Sequence, residues 1–195
     1  KETPLNNAVQ DYIEVMQIVY PYSDYLAVNI SSPNTPGLRE LQTKQYISDL
    51  LGQLKDEGRE QAKQRDLAEK PLFVKIAPDI DEDGLQDVIG ASLDAGVAGI
   101  IATNTTRGRQ SLPADGQKQE GGMSGSPLHI RSIEIVKQVK ALVGDQLGII
   151  GVGGIQTAKD AQNMLDAGAS VVQLYTGMVY EGPRVAGRIL RELAD

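Results

Sequence analysis

The residues able to do chemistry in this chain stand at the ends of apolar runs. Asn29 closes Tyr25 to Ile30, Lys75 sits near the end of Leu72 to Ala77, and Thr103-Asn104-Thr105 ends Gly99 to Thr105. Gly153-Gly154 follows the run Gly148 to Gly153, and Tyr175-Thr176-Gly177 ends Ser170 to Thr176. An ammonium such as that of Lys75 is costly to bury without a partner. It is paired with a nearby carboxylate, reaches out of the strand end, or is placed to stabilise negative charge developing on a bound group, and the last role is preferred. Glycines after two consecutive runs let backbone N–H groups approach an anion, and short helices there add favourable dipole ends. This is the phosphate grip built from the last two loops of many barrels. The segment Asn29 to Arg39 concentrates amides and hydroxyls between Pro33 and Pro36, which restrict φ. Ordinary turn chemistry explains that composition equally well.

These residues need elements to position them. The five apolar runs lack polar alternation, as strands covered on both faces do. Between them Leu85, Val88, Ile89 and Leu93 follow helical spacing after Asp81-Glu82-Asp83, and Ile133, Val136 and Val139 form another stripe. Thr157 with Asp160 reads as a capping box opening a helix that ends at Gly168. Tyr12, Val15 and Val19 give a helical face before the first strand, terminated by Pro21. Asp56 to Lys70 reads as a solvated helix end and loop, and Gln110 to Gly122 as an insertion or lid. Alternating β and α segments with right-handed crossovers make a parallel sheet or barrel. In a barrel the carboxyl ends of the strands share one mouth, so the five polar endings converge there.

Composition narrows the partners. The net charge of −7 over 195 residues leaves no basic surface for a phosphate backbone, which argues against nucleic acid. The chain has no cysteine, excluding disulfides, thiolate metal sites and a cysteine nucleophile. No carboxylate and histidine cluster has metal-ligand spacing, so no metal is expected. His129, the only histidine, is expected as a surface or capping residue at a helix start. Arg131, Arg184, Arg188 and Arg191 are expected as solubilising charges on helix faces, and Asp79, Asp81, Glu82 and Asp83 as a helix N-terminal cluster. No apolar run approaches the ~20 residues of a membrane span, Lys1 to Gln10 lacks a signal-peptide pattern, and the covered chain is expected to be soluble by itself.

Several motifs in order resemble the dihydroorotate dehydrogenase family, in its quinone-linked class 2. The most specific is Asn29 to Arg39, supported by Phe73 to Pro78, Thr103 to Thr106, Gly121 to Leu128, Ile150 to Gly154 and Gln173 to Thr176. Class 1 relatives place cysteine where Ser32 stands, so serine points to class 2. The resemblance covers essentially the whole chain. It implies an α/β fold, the (β/α)8 TIM barrel, of which residues 1–195 would form an incomplete FMN-binding catalytic domain covering about strands 4 to 8. The complete barrel typically needs ~250 residues, and the chain starts without Met, so an upstream segment is expected.

The resemblance further implies oxidation of dihydroorotate to orotate in pyrimidine biosynthesis, with hydride passing to FMN and electrons to a membrane quinone. Ser32 would be the catalytic base. Its hydroxyl is too weak an acid to act unaided, and Thr35 would relay its proton through water. Asn29, Asn34, Asn104 and Thr105 match substrate-holding positions. Asn29, Lys75, Thr103 and Asn104 match flavin contacts, and Ser124, Gly125, Val152, Gly153, Gly154, Tyr175 and Thr176 match the ribityl-phosphate region. The family's first strands and its membrane-docking N-terminal helical pair have no counterpart here. The full-length protein is therefore expected at the membrane surface, and the fragment alone is expected to bind FMN poorly and lack activity. Two other classes stay open: a barrel lyase or isomerase acting on a phosphorylated substrate, with Lys75 as imine-forming amine, and a noncatalytic half-barrel acting through assembly.

Overall fold

The computed structural model describes residues 3, 7–32, 44–109 and 112–194. Helix α1 (Ala8–Val19) and a 3-10 turn (Tyr20–Tyr22) lead into strand β1 (Leu26–Asn29). There follow α2 (Lys44–Arg65), β2 (Leu72–Ile76), α3 (Glu82–Asp94), β3 (Gly99–Ala102) and the short α4 (Ala114–Gln117). A 3-10 turn (Ser126–Leu128) opens onto α5 (His129–Val143), then β4 (Gly148–Val152), α6 (Ala158–Asp166), β5 (Val171–Gln173), α7 (Thr176–Glu181) and α8 (Val185–Ala194). All five expected strands are present, each ending within a few residues of its apolar run.

The strands pair in parallel in the order β1-β2-β3-β4-β5. A flat sheet would hold β1 and β5 ~19 Å apart, four gaps of ~4.8 Å. Yet the Gln173 amide at the end of β5 donates to the Tyr25 hydroxyl just before β1, at 3.3 Å. The sheet is therefore curled into an arc. Its convex face carries Leu26, Val28, Leu72, Val74, Ile76, Ile100 and Ile149, all buried beneath the helices. Its concave face carries Ala27, Asn29, Phe73 and Lys75, which are less buried. The register sets Asn29 beside Lys75 and Lys75 beside Ile101, one row across three strands.

Local signals explain the ends of two helices. Asp81 caps α3 by accepting from the Gly84 N–H at 2.9 Å. At α6 the Thr157 hydroxyl accepts from the Asp160 N–H while the Asp160 carboxylate accepts from the Thr157 N–H, completing the expected capping box. Gly168 follows this helix at φ 112°.

Two expectations need correction. Asp56 to Lys70 is not mostly solvated loop: α2 runs to Arg65 and buries Gly58, Gln61 and Ala62. Gly58 packs closely there: a Cβ would stand 3.1 Å from the Met16 methyl. On α1, Val15 and Val19 are exposed, and Met16 is the residue driven into the core.

Candidate functional site

The carboxyl ends of the strands line an open cleft, the place where barrel and parallel-sheet proteins build their ligand sites. It is lined by Lys75 from β2, Thr103, Asn104 and Thr105 from beyond β3, and Ser124 and Gly125 ahead of α5. Val152, Gly153 and Gly154 follow from β4, then Tyr175 and Thr176 from the loop after β5. These residues, expected to hold substrate or cofactor, are thus gathered from four strand ends. Asn29 joins them through a hydrogen bond: its Oδ1 accepts from the Asn104 amide at 3.0 Å. Ser32 lies at the same end of the sheet, three positions beyond Asn29 and half-buried. Asn34 and Thr35 lie outside the described residues.

Ser31, to which the sequence reading gave no role, organises this corner. It is fully buried, donates to the Lys75 carbonyl at 2.7 Å, and accepts from the Asn104 amide at 3.2 Å. Strand alternation places Ser31 on the same face as Asn29, and that period was the available signal. Asn104 is held from the other side as well: its Oδ1 accepts from the Thr105 N–H at 2.8 Å and its own N–H donates to the Ile76 carbonyl at 2.8 Å. Thr103 donates to the Asn104 carbonyl at 2.9 Å and shares a 3.0 Å contact with the Ser132 hydroxyl on α5.

Among the described residues lining the cleft, Lys75 is the one charged side chain. Burial lowers its pKa below the ordinary lysine value. Among the described residues no carboxylate lies within ion-pair distance of it, so the paired-lysine alternative is not realised there.

The opposite wall is a cradle of glycines. Gly125, Gly153 and Gly154 have φ of 81°, 139° and 68°, conformations that side-chain-bearing residues adopt only with strain. There is no room for a side chain either. A Cβ on Gly153 would sit 2.1 Å from the Ser132 hydroxyl oxygen, and one on Gly154 would sit 2.7 Å from the Gly125 carbonyl oxygen. Thr176 donates to Ser124 at 3.0 Å, linking the two loops beside this turn.

Three sets of residues have different jobs from those expected. His129 is neither a surface residue nor a side-chain cap: its side chain is only 12% exposed and its ring meets the Gly153 carbonyl behind the glycine turn. Asp79 is not part of the α3 cap; its carboxylate accepts from the Thr106 hydroxyl and from the Arg107 N–H, clasping the loop that carries Thr105. Arg131 donates to the Pro78 carbonyl at 2.9 Å and Arg188 to the Gln156 carbonyl at 3.0 Å. These two arginines tie loops together, while Arg184 and Arg191 are exposed.

Residues 2–195 match the family model described as Dihydroorotate dehydrogenase. The chain is 44% identical over 196 residues to a dihydroorotate dehydrogenase (quinone) of Chloroflexus aurantiacus, covering 99% of this chain and 54% of the relative. It is 45% identical over 198 residues to the protein of the same name from an Arthrobacter species, covering 100% and 54%. Among solved structures, the ligand-free DHODH of Eimeria tenella superposes with a TM-score of 0.89 at 37% identity, over 96% of this chain and 55% of that one. The same protein in complex with ferulenol gives 0.88 at 36% identity, over 95% and 53%. The chain spans about half the length of the curated relatives it matches, and its curled parallel sheet is part of the β/α barrel. On sequence and fold together, the chain belongs to the dihydroorotate dehydrogenase family.

Proposed function

We propose that the protein containing this chain oxidises dihydroorotate to orotate in pyrimidine biosynthesis, using FMN and passing the electrons to a membrane quinone. The chain would supply about strands 4 to 8 of the catalytic barrel. The observation that carries this reading is the cleft itself. An ammonium, a pair of hydrogen-bonded amides and a cradle of glycines without Cβ space converge at the carboxyl ends of parallel strands.

The residues present fit FMN. The turn of Gly153 and Gly154, with Gly125, Ser124, Tyr175 and Thr176, suits a phosphate and its ribityl chain, because backbone N–H groups can approach an anion where no Cβ intervenes. Lys75 suits the isoalloxazine end, where negative charge would offset the cost of its partial burial. Val152, Thr103, Asn29 and Asn104 would complete the ring's surroundings. When bound, FMN supplies the acceptor for the hydride that leaves C6 of dihydroorotate.

The protein's own groups would do the rest. Asn29, Asn34, Asn104 and Thr105 would hold the substrate's carboxylate and amide groups. The amide pair is already oriented by Ser31, so little entropy is lost on binding. Ser32 would take the C5 proton, with its own proton leaving through Thr35 and water. Docking to the membrane would fall to a segment outside these residues; among the described residues no helix is long and apolar enough to cross a membrane.

The test uses the full-length protein. Flavin absorbance in the purified protein, orotate formation with a quinone, and loss of turnover in Ser32→Ala with the flavin retained are the expected results. Fumarate or NAD proving the better oxidant would overturn the quinone assignment. A colourless protein in which borohydride traps substrate on Lys75 would favour the lyase reading, which draws on the same lowered lysine pKa.

A further inference from the structure

His129 opens α5 directly behind the glycine turn, outside the cleft lining, and the proposed reaction gives it no role. Its Nδ1 lies 2.9 Å from the Gly153 carbonyl oxygen. A carbonyl only accepts, so Nδ1 carries the proton. Its Nε2 is buried and lies 3.5 Å from Asp160 Oδ1, inside ion-pair distance but without a hydrogen bond. The other oxygen of Asp160 is already committed, accepting from the Gln156 N–H at 3.1 Å, the Thr157 N–H at 2.9 Å and the Thr157 hydroxyl at 2.9 Å. The imidazole is thereby wedged between the glycine turn and the capped start of α6.

The consequence follows from peptide geometry. The Gly153 carbonyl and the Gly154 N–H belong to one planar trans peptide, in which C=O and N–H point in opposite directions. Pinning the carbonyl to His129 aims the Gly154 N–H away from the imidazole. Gly154 lines the cleft and His129 does not. That N–H has no acceptor among the described residues. Two glycines at φ 139° and 68° would otherwise allow this peptide to rotate with little steric resistance.

We propose that His129 is a positioning residue for the phosphate end of the cofactor, fixing the Gly153–Gly154 peptide so that the Gly154 N–H is presented to the phosphate. This rests on the FMN reading above. It goes beyond that reading by assigning the phosphate affinity in part to a side chain that never touches the ligand.

The test compares FMN with riboflavin, which lacks the phosphate, on the flavin-stripped full-length protein, following flavin fluorescence. His129→Leu should weaken FMN binding about tenfold, the order of one hydrogen bond, and leave riboflavin affinity unchanged. His129→Asn, whose amide can donate from near the place of Nδ1, should recover most of the FMN affinity. Equal loss for both flavins, or no loss for either, would overturn the proposal, as would a His129→Asn variant no better than His129→Leu. A wild-type protein that binds riboflavin as tightly as FMN would instead fail at the cofactor reading, before any variant is compared, and take this inference with it.

Discussion

Placing an alanine at Gly154 tests the glycine cradle directly. Two costs apply. The residue has φ 68°, a left-handed conformation that costs a non-glycine residue ~1–2 kcal/mol. The new Cβ would also meet the Gly125 carbonyl oxygen at 2.7 Å, His129 Cβ at 2.8 Å and the His129 backbone nitrogen at 3.0 Å. Two of these three are backbone atoms, anchored in the turn before α5 and in its first residue, so they cannot swing aside as a flexible side chain would. Overpacking of this kind costs ~1–3 kcal/mol. Together the loss is about 2–5 kcal/mol, a large share of the ~5–15 kcal/mol that holds a folded protein together. Urea unfolding of the full-length protein should show a lower midpoint at unchanged slope, and the purified variant should carry less flavin than wild type. A shift worth less than about 1 kcal/mol, with flavin content unchanged, would refute the claim that this turn is closed to side chains.

Four further outcomes follow from other parts of the fold. Gly90→Ala, inside α3 with nothing within 4 Å of the added Cβ, should stabilise by about 0.5–1 kcal/mol in the same urea assay. Tyr20→Phe should cost about 1–3 kcal/mol, because the buried hydroxyl both donates to the Gly58 carbonyl at 2.9 Å and accepts from the Lys70 N–H at 3.1 Å. Burial lowers the Lys75 pKa, so the charged amine opposes folding below its folded pKa, and the penalty fades as pH rises through that value towards 10.5; Lys75→Met should raise the flavin-free Tm by ~2 °C at neutral pH while weakening flavin binding. At Asp160 burial acts to raise the pKa, but hydrogen bonds from Thr157 and Gln156 and the charge of His129 hold it below the usual 3.8. Its contribution is therefore complete above 3.8 and lost as pH falls through the lower folded value, so wild type should lose urea midpoint below pH 4 more steeply than Asp160→Asn.

The sheet was legible in the sequence for a physical reason. Strands covered on both faces must be apolar throughout, so Leu72 to Ala77 and Gly148 to Gly153 stand out without any alignment. The polar endings were legible too, because Asn29, Lys75 and Asn104 have no place in such strands except at a mouth. What stayed hidden is what supports them. Gly58, Gln61 and Ala62 are buried in α2, yet small and polar residues add nothing to a hydrophobic stripe, and that part of the helix read as solvated. The clasp of Asp79 on Thr106 and Arg107 and the contact of His129 with Gly153 join residues more than twenty positions apart. A neighbouring acidic cluster offered Asp79 a local explanation as part of a helix N-terminus, and a helix start offered His129 one as a surface or capping residue. Both local explanations were wrong because tertiary packing decides where such side chains end.

The register also divides the concave face into two ends with different tasks. One row pairs Asn29 with Lys75 at the mouth, and the row beneath pairs Ala27 with Phe73 and Phe73 with Gly99. Gly99 is required there because a Cβ would meet the Gly148 carbonyl oxygen at 2.2 Å and the Phe73 ring at 2.8 Å. The Phe73 ring in turn packs edge-on against Tyr25, with centroids 5.5 Å apart. Tyr25 is the residue whose hydroxyl receives the Gln173 amide from the far edge of the sheet. The lower row thus draws the arc closed with an aromatic pair and one glycine, without using a charged group. That leaves the row above free to hold an ammonium and an amide, with the Asn104 amide hydrogen-bonded to it from beyond β3, over an apolar floor, where a lower effective dielectric would strengthen every interaction they make with the proposed anionic cofactor.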